Sequence, residues 1–305
     1  MTYFLTILML LSPFLTPDDL TVTHEGETIA TVNREDFYLP LIGKEMIDHD
    51  KYHFFLTKVE QKVFLPPVNA KIAKNGQLIP EQIGYMLDKR QFKERFYQYY
   101  YGIESAELKV PIRPVHPKVN SEILSNIRVQ RIGQYVTYFN NRNKERSHNI
   151  HLATEAINNH VVFPGETFSF NQVVGKRTRE RGYLSAPVIV RGELSEDIGG
   201  GICQVSSTLY NAIDHAGLKV IQRYSHSRRV PYVPRGRDAT VSWYGPDFTF
   251  KNNLNQPILI QAKIYGGQML VYILSSDSVI YEQRRVPGAP SKLPKEIIIN
   301  NAEIL

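Results

Sequence analysis

Two rhythms of apolar residues run along this chain. From Val205 onward they fall at Val205, Leu209, Ala212, Ile213 and Ala216, the i, i+4, i+7, i+8 spacing of an amphipathic helix. Gly217 then sits where such a helix is usually stopped. Phe92, Phe96, Tyr99 and Tyr100 repeat at helical spacing over 91–101, an aromatic stripe that predicts packing on the domain's own sheet. The other rhythm is extended. Segments 21–24 and 28–32 flank a Glu25-Gly26-Glu27 turn, and 257–265 and 269–274 flank Gly266-Gly267, both hairpin signatures. Further strands are expected at 161–163, 218–224, 239–244 and 248–252, and 108–115 alternates. The whole of 20–65 reads as short β elements, including Phe54-Phe55-Leu56 and Val63-Phe64-Leu65. Asn75-Gly76 is a tight-turn signal. Pro80 opens a predicted helix over 80–87, 120–138 reads as a connecting helix, and 150–157 is helical. Strand residues 187–190 lead to a tip at Arg191-Gly192-Glu193.

The order of these elements predicts an α+β protein: a β-rich catalytic domain built around one Cys-bearing helix, preceded by a smaller α+β domain. Pro111, Pro114 and Pro117 mark the edge of the first. The expected boundaries are 20–117 for the first domain, 118–148 for a helical linker, 149–280 for the second domain and 281–305 for a charged tail. Ahead of these, Tyr3 to Leu15 is an apolar run interrupted by Thr6, Ser12 and Pro13. It is short for a membrane span and suits a secretory segment, so residues 1–19 are read as a signal peptide or short membrane anchor.

Composition narrows the class. With 42% hydrophobic and 22% charged residues the chain is an ordinary folded protein. A net charge of +6 is compatible with anionic partners such as a cell-wall polymer or a membrane surface. No basic cluster argues for nucleic acid: Lys89, Arg90, Lys93 and Arg95 alternate with the aromatic stripe, as on the solvated side of a helix. One cysteine in 305 residues excludes an internal disulfide and fits an extracytoplasmic enzyme that uses its thiol for chemistry.

That cysteine stands in Gly199-Gly200-Gly201-Ile202-Cys203-Gln204-Val205-Ser206-Ser207. Three glycines free the backbone for positive φ and keep Cβ atoms away from an approaching substrate chain. Cys203 falls in the first helical turn, where free N–H groups and the dipole favour a thiolate and offer donors to an acyl oxyanion. On the helical wheel it shares a stripe with Ser207, Tyr210 and Asp214, opposite the apolar face, and so should point away from the core. The competing reading is a small buried hydrophobe. A nucleophile needs a base. His226 follows the strand that returns alongside the helix, whereas His215 lies at the helix's far end, ~18 Å away at 1.5 Å per residue. Asp238 and Asp197 are both candidates to orient the imidazole, and spacing does not choose between them. His148 and His151 have metal-ligand spacing but no third ligand near them. No metal and no cofactor are expected.

The segments Phe163-Pro164-Gly165-Glu166-Thr167-Phe168-Ser169-Phe170-Asn171, 199–212, His226-Ser227 and Gly236-Arg237-Asp238-Ala239-Thr240-Val241 together resemble the VanW-like family of bacterial envelope proteins over residues 149–275. Val68-Asn69-Ala70-Lys71, with Ile79-Pro80-Glu81 and Gly84, is similar to the peptidoglycan-binding domain that often precedes it. The resemblance implies an extracytoplasmic protein at the cell wall. It also implies an L,D-transpeptidase that forms 3-3 cross-links between peptidoglycan stem peptides. On this chain Cys203 would form the thioester and His226 would shuttle the proton, with Asp238 behind it. Gly199, Gly200, Gly201, Gln204 and Ser206 would surround the oxyanion and substrate. The alternatives are a non-catalytic wall-binding or glycopeptide-resistance accessory protein and a thiol peptidase, which shares the first half-reaction.

Overall fold

Helix caps and close backbone approaches decide which apolar segments coil and which extend. The computed structural model describes residues 18–39, 46–102, 106–190 and 193–291. Residues 1–17 of the expected 1–19 leader, the tip residues Arg191 and Gly192, and the end of the tail lie outside them; Asp19 already begins a strand of the first unit. The fold is α+β, in two compact units: one of the chain up to Ala70 with Pro80–Lys118, the other of Lys71–Ile79 with the chain from Val119.

In the first unit the predicted hairpin is present. Asp19–His24 pairs antiparallel with Glu27–Asn33, turning through Gly26 at φ 88°, and also pairs in parallel with Ala106–Lys109. Where short strands were expected, α1 (His49–Val63) forms. The Asp48 side chain accepts from the Asp50 and Lys51 amides at 3.0 and 3.1 Å, relieving two of the unpaired donors at the helix start. Tyr52, Phe55, Leu56, Val59 and Val63 are all buried. Phe55, Leu56 and Val63 of the runs that looked extended are thus parts of one helical stripe, while Phe64 and Leu65 lie beyond the helix in extended backbone. The aromatic segment forms α2 (Lys89–Tyr101), with Phe96 fully buried and its ring 4.9 Å from those of Phe37 and Tyr52. The helix expected over 80–87 is instead a strand, Gly84–Leu87, antiparallel to Ile112–Val115. Gly84 decides this, because a Cβ there would stand 2.3 Å from the Leu65 carbonyl oxygen. Two extended backbones meet at that point, and Leu65 and Tyr85 exchange N–H···O bonds of 3.0 and 2.9 Å.

The second unit is organised on a four-stranded antiparallel sheet in the order Gln130–Tyr138, Gln268–Ser275, Ile258–Tyr265, His160–Val162. Its central hairpin turns through Gly266 and Gly267, both at positive φ, as alternation predicted. The connecting helix expected over 120–138 is helical only at α3 (Ser121–Ile127); the remainder is the first strand of this sheet. A bulge between Arg131 and Gly133 interrupts the alternation that would have announced a strand. α4 (Lys144–Ile157), α5 (Phe170–Val174) and a second sheet, Thr167–Ser169 with Thr249–Lys251 and Lys219–Gln222, follow, together with the hairpin Ser185–Val190/Glu193–Ile198.

α6 (Ile202–His215) packs on the main sheet, with Val205, Leu209, Ala212 and Ile213 fully buried and Thr208 Oγ1 2.8 Å from Thr137 Oγ1 of the first strand. The contact is close at Gly133, where a Cβ would stand 2.5 Å from the Ala212 carbonyl oxygen. The stripe expected to face outward is covered as well: Ser207 and Tyr210 are buried. The covering segment includes 239–244, expected as a strand but irregular: the Ala239 amide and carbonyl bond to α6 side chains, while the Thr240 and Ser242 amides bond to the Tyr224 and Pro246 carbonyls. The start of the tail is also held. Arg284 Nη1 reaches Asp214 Oδ1 at 3.0 Å, and the Tyr135 hydroxyl donates to the Pro287 carbonyl at 2.9 Å. Among the described residues no helix is long and apolar enough to cross a membrane.

Candidate functional site

The glycine turn is shaped by φ and by its own neighbours. Gly199 and Gly201 sit at φ 91° and 103°, and Gly201 caps α6 in the left-handed region, where a side chain is strained. A Cβ on Gly201 would lie 3.0 Å from Arg146 Cγ and Ile150 Cγ1, and one on Gly199 3.1 Å from Arg177 Cβ. At these two positions the bare backbone ascribed to substrate approach is filled by the protein's own side chains. Asn149 ties α4 to the turn, donating to the Gly200 and Leu184 carbonyls at 3.1 and 2.9 Å.

Cys203 follows in the first turn of α6 and is partly exposed. Its Sγ lies 3.6 Å from the Val241 carbonyl oxygen and 3.8 Å from Thr240 Oγ1. The Ile202 and Gln204 amides are already directed at the Gly199 and Gly201 carbonyls, at 3.3 and 3.0 Å. Among the described residues no backbone acceptor takes the Cys203 amide. The Cys203 amide, rather than that of Gln204, is therefore available to a developing oxyanion.

Two residues expected beside the substrate have other partners. The Gln204 side chain is fully buried, accepting from Arg146 Nη2 at 2.7 Å and donating to Thr137 Oγ1 and the Tyr138 carbonyl, each at 3.0 Å. Ser206 is buried and donates to the Ala239 carbonyl at 2.5 Å. Gln204 is held by α4 and the first strand of the main sheet, whereas Ser206 is held by the covering segment.

That segment brings the imidazole to the sulfur. Ser207 Oγ accepts from the Ala239 amide at 2.9 Å and donates to the Cys203 carbonyl at 2.6 Å. Asn211 donates to the Arg237 carbonyl at 2.8 Å, and Arg223 to the Asp238 carbonyl at 2.6 Å. Asp238 so fixed takes two bonds on Oδ2, from the His226 backbone N–H and from Nδ1, both 2.6 Å. A carboxylate only accepts, so Nδ1 carries a proton and Nε2 is left free of Asp238, on a ring whose charge acts on the Cys203 thiol. Asp197 is exposed, with Oδ1 on the Ile198 amide at 2.7 Å; the carboxylate on His226 is Asp238. His215 is at the other end of α6, 3.1 Å from the Gln134 carbonyl. His148 Nε2 donates to the Gly182 carbonyl at 2.9 Å.

The charges of the three groups support one another. Burial pushes the Cys203 thiol up, but the hydrogen bond and charge of His226, with smaller contributions at Val241 and Thr240, hold it below its ordinary value. Burial works against a charged His226. The Asp238 and Cys203 hydrogen bonds and negative charges outweigh it, and the ring is pushed up to about 9. Asp238 is lowered despite burial by its bonds to His226. Each charge thus favours the other, and the pairing tends toward a thiolate beside an imidazolium, the reactive form of a cysteine nucleophile.

Sequence reasoning named Cys203 and His226, with Asp238 as one of two candidate carboxylates, and the structure brings these three together; it missed what holds them. Thr240, Ser207, Asn211 and Arg223 escaped it, although a helix carrying Ser206, Ser207, Thr208 and Asn211 in an otherwise apolar run does signal that its polar face has partners. The exposed Trp243 and Tyr244 just beyond Val241 were also overlooked.

The family model described as VanW like protein matches residues 145–274, a span that takes in α4, the glycine turn, Cys203, His226 and Asp238. The chain is 58% identical over 297 residues to "Uncharacterized protein YoaR" of Bacillus subtilis (strain 168), covering 97% of each. It is 33% identical over 110 residues to "Vancomycin B-type resistance protein VanW" of Enterococcus faecalis (strain ATCC 700802 / V583), which is 34% of this chain and 40% of that one. No solved structure matches it significantly. A near full-length relative and a family match centred on the thiol lead to the same assignment: this chain belongs to the VanW-like family.

Proposed function

We propose that this protein is an extracytoplasmic cysteine acyltransferase acting on peptidoglycan stem peptides, an L,D-transpeptidase that forms 3-3 cross-links. The single observation behind this reading is the His226–Asp238 pair, bonded at 2.6 Å and electrostatically coupled to Cys203, with the thiol lowered and the imidazole raised. The thiolate attacks the carbonyl carbon of the third stem residue while the Cys203 amide donates to the oxyanion. The C–N bond to the terminal D-alanine breaks, and its nitrogen leaves with the proton of His226. A side-chain amine of a second stem peptide then attacks the thioester, gives a proton to His226, and releases the thiolate. The relative named for vancomycin resistance supports placing this chemistry at the cell envelope, and residues 20–117 would serve there as a peptidoglycan-binding module.

The test is incubation of the purified protein with tetrapeptide stems, followed by mass spectrometry of products and protein. Cross-linked dimers, a thioester on Cys203, and loss of both in Cys203→Ala are expected. Tripeptide without dimers would replace transpeptidation by hydrolysis. No thioester in the folded protein would return it to a binding role.

A further inference from the structure

Close to Cys203 stands a cation for which the acyl-transfer steps above have no use. Arg177 lies in the segment between Gly175 and Gly182, both at positive φ. Its stem runs against Gly199, at the start of the turn that presents the thiol. Both terminal guanidinium nitrogens are shut off from solvent, and neither has a hydrogen-bond partner. An arginine normally reaches such a position only with its donors paired. The nearby acid does not serve. Asp247 is engaged by Ser169 Oγ at 2.6 Å and by the Asn171 and Phe248 amides at 2.9 and 2.7 Å. Phe170, with its ring centroid 5.8 Å from the guanidinium carbon, offers a cation–π contact but no acceptor, so both terminal nitrogens stay unpaired.

We infer that the Arg177 edge is an anion subsite which receives a free carboxylate of the peptide acyl donor and so aligns the scissile carbonyl with Cys203. Two adjacent N–H donors in one plane match the two oxygens of a carboxylate, a fit that an ammonium lacks. The setting agrees. Burial lowers the Arg177 pKa, and among the charges that counter this the Cys203 thiolate has the strongest influence. An anionic ligand would relieve the same penalty. Lys176 and Arg181 add positive charge on the same segment, with Lys176 Nζ 5.2 Å from the ring of the exposed Tyr244. This assignment builds on the acyl-transfer reading for the identity of the ligand, but carboxylate binding is measurable without turnover.

The experiment uses the full chain as wild type, Arg177→Gln and Arg177→Lys, with two probes. Acetyl-Ala-D-Ala and its C-terminal carboxamide are compared by thermal shift. The carboxylate form should raise the wild-type Tm and the carboxamide should not, and Arg177→Gln should lose the difference. The ratio of Cys203 alkylation rates by iodoacetate and iodoacetamide should fall about tenfold in Arg177→Gln and be largely kept in Arg177→Lys, which retains charge but not the fork. Should Arg177→Gln fail to fold, Arg177→Lys decides through the loss of carboxylate selectivity in the thermal shift. Equal shifts by the two peptides in wild type, or selectivity kept in both variants, would overturn the subsite. Failure of Cys203 to form a thioester would overturn acyl transfer and leave the carboxylate selectivity standing.

Discussion

Replacing Asp238 by Asn tests the coupling on which the candidate site depends. The two side chains are only 9% and 6% exposed on the Asp238 and His226 sides, and Oδ2 receives two bonds of 2.6 Å. Raising His226 from 6.5 to about 9 corresponds to roughly 3 kcal/mol in favour of the protonated ring, at about 1.36 kcal/mol per unit. Because the folded value lies above the unfolded one, this stabilisation is fully present below pH 6.5 and is lost as pH rises through about 9. Asparagine keeps an acceptor for the backbone N–H but removes the charge that the imidazolium faces. The expected loss is about 1.5–3 kcal/mol at pH 6, as for a hydrogen bond to a charged group, shrinking to about 1 kcal/mol at pH 10, where the ring is neutral in both proteins. Urea unfolding of wild type and Asp238→Asn at the two pH values measures this. An equal loss at both would show that Asp238 supports the loop without holding a charged ring, and the ion-pair argument would be refuted.

Three further outcomes are expected. Iodoacetamide should modify native Cys203 with a pH midpoint below the ordinary thiol value of 9.0, and His226→Gln should move the midpoint up; a wild-type midpoint at or above 9.0 contradicts the electrostatics. Ser207→Ala leaves the buried Ala239 N–H unbonded, which should lower stability by about 1–3 kcal/mol and slow alkylation as the Asp238 segment loosens; unchanged alkylation would remove Ser207 from the support of the site. Gly133→Ala places a methyl 2.5 Å from the Ala212 carbonyl oxygen, so α6 must shift off the sheet at about 1–3 kcal/mol or more; a Tm equal to wild type would mean that the contact is looser than described.

The position of the thiol in the first turn of a helix was readable from 199–217 alone, because glycine φ freedom, apolar periodicity and the terminal Gly217 are all properties of one short segment. The Gly266-Gly267 hairpin and the aromatic stripe of α2 were legible for the same reason. Errors arose where a second segment intervened. Gly84 looks like an ordinary residue early in a helix until Leu65 is placed against it, and 130–138 lost its alternation to a bulge. The choice of Asp238 over Asp197 and the covering of the Ser207 and Tyr210 face depended on the chain folding back from Arg223 to Val241. The isolation of Arg177 depended instead on Phe170 and Gly199 being brought against it. Periodicity reports what a segment does with its own neighbours, whereas pairing a carboxylate with an imidazole, or leaving a guanidinium unpaired, is decided by which distant backbone excludes water there.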